Sequence, residues 1–351
     1  VGELSVVNRM NATAPQRNDL RRPLVDTFGR RITYLRLSVT DRCDLRCRYC
    51  MSEVMTFMPR SELLTIEELA LIADAFIARG VTRIRLTGGE PLVRRGIDDL
   101  ARHIGRRLRG GGLDELTLTT NATRLAEHAR VLVEAGVRRV NVSLDSLDED
   151  RFRLISRTGE LAKVLAGIEA GRAAGLAIKI NMVALKGLNE DEIEPMIRWC
   201  GDRGFDLTLI ETMPLGVIDE DRTDRYLPLD GVRDRLAERF TLEAIADRTG
   251  GPARYLQVRE TGTRLGLITP LTNNFCDGCN RVRLTASGRL YMCLGHDERV
   301  DLKTVLRSGG RGAVDEALDS VLMAKPERHS FRIAGHGAAP AVGRHMSVTG
   351  G

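Results

Sequence analysis

Residues 32–50 read ITYLRLSVTDRCDLRCRYC: a β-rich run, 32–39, that leads at once into Cys43, Cys47 and Cys50, spaced C-x3-C-x2-C. Outward from this stretch, β-rich runs recur at 82–87, Glu115–Thr120, 139–144, Ala177–Ala184 and Asp206–Glu211. Amphipathic runs such as 65–79 and 123–135 separate them. The first of these opens on Thr65 with Glu68 three residues later, a capping-box pattern. Gly80, Gly136, Gly175 and Gly204 each stand just past a helical run, where a glycine closes a helix. Six successive βα units predict a parallel sheet with right-handed crossovers. A partial (β/α) barrel and a doubly wound sheet both fit that rhythm.

Three thiolates on a short loop suit an iron–sulfur cluster, and on a four-iron cubane they leave one iron open to a cofactor or substrate. Zinc would want a fourth ligand, and the loop holds no histidine. The loop also follows the first strand, at the end of a parallel sheet where such folds place their chemistry.

The 351 residues are 42% hydrophobic and 29% charged, as expected of a chain with a sizeable core. Lys and Arg outnumber Asp and Glu by 53 to 48, a mild bias that suits an anionic small molecule and falls short of arguing for nucleic acid. No apolar run reaches the roughly twenty residues that span a bilayer. Residues 1–23 read as a flexible arm with no secretory signal, which implies a cytoplasmic, reducing setting where cysteines serve metals more often than disulfides. Six of the 7 cysteines fall into two tight groups. The other, Cys200, sits beside Trp199 in a helical run and reads as a buried structural residue.

After Met213 the βα rhythm breaks. Residues 24–213 form the expected barrel region and 214–351 a smaller α+β region, with helical runs at 302–307 and 314–324. Here Cys276 and Cys279 form C-x2-C, and Cys293 follows a probable hairpin. His296 stands three residues beyond, so spacing alone also allows a zinc ribbon on Cys276, Cys279, Cys293 and His296. Such a ribbon could serve nucleic-acid binding, although aromatics are only 4% of the chain.

The run from Cys43 to Cys50, with Tyr49 before the last cysteine, resembles the signature loop of radical S-adenosylmethionine enzymes. Thr87-Gly88-Gly89-Glu90-Pro91 and Asn141-Val142-Ser143 resemble further motifs of that superfamily in the same order. Asn273-Asn-Phe-Cys276-Asp-Gly-Cys279-Asn-Arg281-Val-Arg283 resembles the C-terminal motif of the GTP 3′,8-cyclase family, as do the segment from Gly288 to Leu294 and the terminal Gly350-Gly351. The likeness covers residues 24–351.

That resemblance implies a partial (β/α)6 TIM-type barrel and two [4Fe–4S] clusters, one on Cys43, Cys47 and Cys50 and one on Cys276, Cys279 and Cys293. It implies S-adenosylmethionine contacts at Tyr49, Gly89, Ser143 and Met213. GTP contacts are implied at Arg36, Arg85, Thr119, Lys179, Arg281, Val282 and Arg283. Arginine forks suit phosphate oxygens, and Arg281 and Arg283 alternate so as to share one strand face. The implied reaction is a lyase-type radical cyclisation that opens molybdenum cofactor biosynthesis. A 5′-deoxyadenosyl radical removes the C3′ hydrogen of GTP, the carbon radical closes on C8, and reduction gives 3′,8-cyclo-7,8-dihydroguanosine triphosphate. Implied partners are a low-potential electron donor and a downstream cyclic pyranopterin monophosphate synthase. A monomer or homodimer without nucleic acid or membrane completes the expectation. Gly350 and Gly351 are expected to enter the site and order an arginine there. Two departures from the family pattern stand out: Ala122 after Thr-Thr-Asn, where a glycine is usual, and Thr208, where an arginine is frequent.

Overall fold

The computed structural model describes residues 22–246, 250–333 and 335–350. Most of the expected arm and Gly351 lie outside the described residues. One twisted sheet organises the rest. Its first six strands are β1 (Tyr34–Ser38), β2 (Arg83–Thr87), β3 (Glu115–Thr120), β4 (Arg139–Ser143), β5 (Ala177–Ala184) and β6 (Asp206–Glu211). They lie side by side in chain order and all parallel. The helices α1 (Ile66–Ala78), α2 (Ile97–Arg109), α3 (Leu125–Glu134), α4 (Glu149–Ser156), α5 (Leu161–Ala173) and α6 (Ile193–Arg203) fall in the crossovers. Parallel strands need such crossovers and both faces covered. The outward residues of β1 and β2, Leu35, Leu37, Ile84 and Leu86, are fully buried against the helical layer.

The sheet continues past Met213, which periodicity did not reveal. The strands β7 (Leu242–Ala244), β8 (Arg254–Val258) and β9 (Arg264–Ile268) attach through β9, parallel to β6. On the other edge, β10 (Arg281–Leu284) runs parallel to β1 and carries β11 (Arg289–Tyr291) and β12 (Arg299–Asp301) as an antiparallel meander. The twelve-stranded order begins with β12 and ends with β7, and the barrel stays open between them.

The capping box forms: Thr65 Oγ1 accepts from the Glu68 N–H at 3.2 Å, and Glu68 returns the bond to the Thr65 N–H at 2.8 Å. The same carboxylate takes two bonds from Arg307, at 2.7 and 3.1 Å, so α1 is tied to α9 (Leu302–Val321). The two helical runs expected at 302–307 and 314–324 are both present within Leu302–Val321, parted by a kink where Gly310 takes φ 66° and ψ −160°, and one 3-10 turn, Leu322–Ala324, follows. Glycine tolerates that non-helical conformation, so the Gly-rich stretch interrupts the helix between the two runs. Cys200 is buried in the core, as expected.

Candidate active site

The first cysteine group sits on the loop after β1, pinned from two sides. On one side the Gly89 N–H donates to Thr40 O at 2.9 Å and the Glu90 N–H to Arg42 O at 2.8 Å. A Cβ on Gly88 would lie 2.4 Å from Thr40 O, and one on Gly89 2.4 Å from Arg42 O. Both glycines are therefore required where two backbones meet, a nearer partner than the ligand their motif suggests. On the other side the Arg46 and Arg48 N–H groups donate to Ser156 O and Ile155 O, each at 3.0 Å, at the end of α4. Glu90 is 1% exposed and accepts from Leu92 N, Thr120 Oγ1 and Asn121 N at 2.9, 2.8 and 2.6 Å. Burial lifts its carboxyl to about 7 against those three donors. It splices the Gly-Gly-Glu-Pro turn to the Thr-Thr-Asn turn.

Sulfur environments follow. Burial, with Glu90 beside it, pushes the Cys43 thiol well above its ordinary value, and burial with Asp145 does the same to Cys47. Burial raises Cys50 to about 11, although it receives the Ser347 backbone N–H. The Leu45 N–H and Asn121 Nδ2 reach Cys43 Sγ at 3.4 and 3.8 Å. Tyr49 donates to Asp145 Oδ2 at 2.7 Å, and the Val183 N–H to Asp145 Oδ1 at 2.8 Å. Ser143 closes β4 beside this loop, in register with Asn181.

Inside the barrel, alternate residues of the strands face one cavity. Its wall includes Arg36, Arg85, Lys179, Arg281 and Arg283, together with Asn141, Asn181 and Met213. Arg36 is 6% exposed, and its Nε and Nη2 are buried without a partner among the described residues, as is Arg85 Nε. Burial first and Arg283 second press the Arg36 guanidinium well below its ordinary range; burial and then Arg281 hold Arg283 at about 9. Lys179 Nζ donates to Tyr255 Oη at 2.5 Å and is brought to about 7 by burial, then Arg139 and Arg85. Orphaned donors and crowded like charges fit an anionic ligand. Thr119 keeps a buried hydroxyl without a partner on the inward face of β3, outside this cavity's wall. The Val282 side chain turns outward into the core, so only its backbone remains on offer to a ligand. At Thr208 the hydroxyl lies against Gly266, whose Cβ would also meet the Tyr255 ring. Ala122 takes φ 63°, a left-handed conformation that costs a non-glycine residue about 1–2 kcal/mol.

Cys276, Cys279 and Cys293 stand in the wall of the same cavity. The His329 N–H faces the Cys276 sulfur, Lys325 Nζ lies 3.6 Å from Cys279 Sγ, and the Gly295 N–H faces Cys293. Each thiol thus meets a donor, as thiolate ligands require. Burial raises Cys276 and Cys293, while Arg281 and Lys325 overcome burial to bring Cys279 to about 7. The zinc alternative loses its fourth ligand: His296 Nε2 is engaged with Arg328 O at 3.0 Å, and Nδ1 faces Glu298 at 3.6 Å. Among the described residues, no three His, Cys, Asp or Glu side chains converge on one ion. A cubane, taking one thiolate per iron, holds its cysteines farther apart. Both trios fit such a cluster by their donor sets.

The tail closes this side. The short helix α10 (Met346–Thr349) delivers Gly350, whose carbonyl accepts from Arg283 Nη1 at 2.8 Å. At φ 74°, a Cβ there would lie 2.0 Å from Thr87 Oγ1.

Residues 37–200 match the Radical SAM superfamily and residues 205–331 match Molybdenum Cofactor Synthesis C. Two solved structures share the fold: SuiB of Streptococcus suis bound to precursor peptide SuiA, and native anSMEcpe with bound AdoMet. The first has a TM-score of 0.57 at 15% identity over 84% of this chain and 71% of that one. The second has 0.57 at 14% over 84% and 81%. Fold and cysteine loop thus define a radical S-adenosylmethionine protein. The GTP 3′,8-cyclase of Erythrobacter litoralis (strain HTCC2594) is 62% identical over 93% of this chain and 98% of its own. That of Rhizobium meliloti (strain 1021) is 58% identical over 97% and 100%. The chain belongs to the GTP 3′,8-cyclase family.

Sequence reasoning passed over Lys325, Asp145, Tyr255 and the splice made by Glu90. A lone lysine between Ala324 and Pro326 carries no periodic signal, and Glu90 was visible only as part of a glycine turn.

Proposed function

We propose that the chain is a lyase-type, cytoplasmic GTP 3′,8-cyclase that starts molybdenum cofactor biosynthesis. The observation that carries this reading is a single cavity whose wall holds four buried cations, a fifth that is half-buried, and the second cysteine trio. Arg36, Arg85 and Lys179 would take the triphosphate, whose oxygens would satisfy the orphaned donors of the two arginines. Arg281 and Arg283, in the same wall, would contact the ribose or purine. Cys276, Cys279 and Cys293 would hold a [4Fe–4S] cluster, which with three protein ligands would be free to bind the purine. Cys43, Cys47 and Cys50 would hold the other, with Tyr49, Gly89, Ser143 and Met213 around S-adenosylmethionine. When bound, that pair would supply the radical chemistry that removes the C3′ hydrogen of GTP. The chain's own part is to orient C3′ and C8, neutralise the phosphates and exclude water. Completing the product takes one electron and one proton, which a low-potential donor protein would furnish, and a pyranopterin-forming enzyme would consume that product.

Anaerobic reconstitution tests this. About eight irons per chain, falling to about four in Cys276→Ala/Cys279→Ala/Cys293→Ala, together with conversion of GTP to the 3′,8-cyclo product by the parent alone, is the expected result. Four irons in both chains, with zinc lost from the variant, would refute it.

A further inference from the structure

The segment from Lys325 to His329 lies outside both cysteine motifs yet runs directly under the second trio. Lys325 is 3% exposed. Its Nζ has three acceptors, Met292 O at 2.6 Å, Arg281 O at 3.1 Å and Cys279 Sγ at 3.6 Å. Three acceptors use every donor of an ammonium, one more than a neutral amine could supply. Among the described residues no carboxylate pairs with it. A charge buried this far needs an opposite charge beside it, and the Cys279 sulfur stands in that position. The segment is also fixed in place. Arg30, bound to Asp26 at 2.6 Å, donates to Cys276 O at 2.9 Å, Glu327 O at 2.6 Å and Pro326 O at 2.7 Å. The His329 N–H completes the set by facing the Cys276 sulfur. One five-residue segment therefore furnishes donors to two of the three sulfurs.

We propose that Lys325 is the positioning residue of the second cluster: its ammonium, held against the Cys279 sulfur, supplies the countercharge that keeps the cluster seated and raises its reduction potential. This rests on the reading that the second trio holds an iron–sulfur cluster. A reduced cluster carries one more negative charge than its oxidised form, so a fixed cation and an N–H···S bond favour the reduced state.

The test uses the full-length Cys43→Ala/Cys47→Ala/Cys50→Ala chain, reconstituted, in which only the second cluster remains. Lys325→Met and Lys325→Arg are made in that background, iron is counted, and each is titrated by electron paramagnetic resonance against potential. Where Lys325→Met keeps about four irons, the reduction equilibrium falls at least tenfold, about 59 mV for one electron. An unchanged potential in that variant overturns the proposal. Where Lys325→Met loses its iron, Lys325→Arg decides: iron retained supports the countercharge, and iron lost shows that shape and not charge matters, which overturns it. A background chain without iron refutes the cluster reading itself, and the proposal with it.

Discussion

Lys179 shows how much a single inward side chain can report. It is 4% exposed on β5, and burial together with Arg139 and Arg85 brings its ammonium to about 7, below the roughly 10.4 of a free lysine. Burial and its cationic neighbours therefore disfavour the charged form, and a triphosphate beside it would restore the charge. Between about pH 7 and the higher value in the complex, the bound state holds more protons than the free one. By linkage, affinity then falls as pH rises, up to about tenfold per unit. Calorimetry of GTP binding from pH 6.5 to 9, in buffers of differing ionisation enthalpy, is expected to show proton uptake in the parent and much less in Lys179→Met. Equal pH slopes in the two chains would remove Lys179 from the phosphate site. Thr208 lies beside the same group: its hydroxyl and the Tyr255 ring both lie close to Gly266, and the Tyr255 hydroxyl accepts the Lys179 bond.

Among the elements, α10 makes the most of four residues. Ser347 and Thr349 are buried, the Ser347 N–H faces Cys50, and the Gly350 carbonyl holds Arg283. The tail thus bridges the two cysteine groups. Removing Gly350 and Gly351 frees Arg283, whose guanidinium loses its carbonyl acceptor at Gly350, while no cysteine is touched. Iron content should stay at the parent value and cyclisation should drop by about a hundredfold or more, since misplacing one group by about 1 Å can cost that much. Full turnover in the truncated chain would show the tail to be dispensable. The tail was legible in the sequence only as a resemblance, since two terminal glycines carry no periodicity. The six βα units, the capping box at Thr65 and both cysteine groups were legible because each is a local pattern of spacing. The partners of β1 and β6 were not, because the paired residues of β10 and β9 lie 247 and 58 residues away along the chain. Lys325 was hidden for the same reason: its value comes from the turn after α9, which returns it beneath β10.

At the scale of the whole molecule, one continuous sheet runs through both halves, although the family matches divide at residues 200 and 205. β1 pairs on one side with β2 and on the other with β10, from Tyr34 opposite Arg281 to Leu37 opposite Leu284. β6 pairs with β9, from Leu207 opposite Leu265 to Ile210 opposite Ile268. Cutting the chain after Met213 would strip a hydrogen-bonded neighbour from both edges of the six-stranded remainder and expose long unpaired rows of backbone groups. It would also lay bare the face of α1 that α9 covers. Residues 22–213 alone are therefore expected to aggregate or stay unfolded. In the full chain, Trp199, the one tryptophan, reports on the first half through its helix α6. Amide exchange of α9 and of β10 to β12 reports on the second. Under urea the two probes are expected to change together, as one cooperative transition requires. If α9 and β10 exchange at a lower urea concentration than Trp199 responds, the boundary at 213–214 is a true domain border, and the second cluster is carried by a unit that can open on its own.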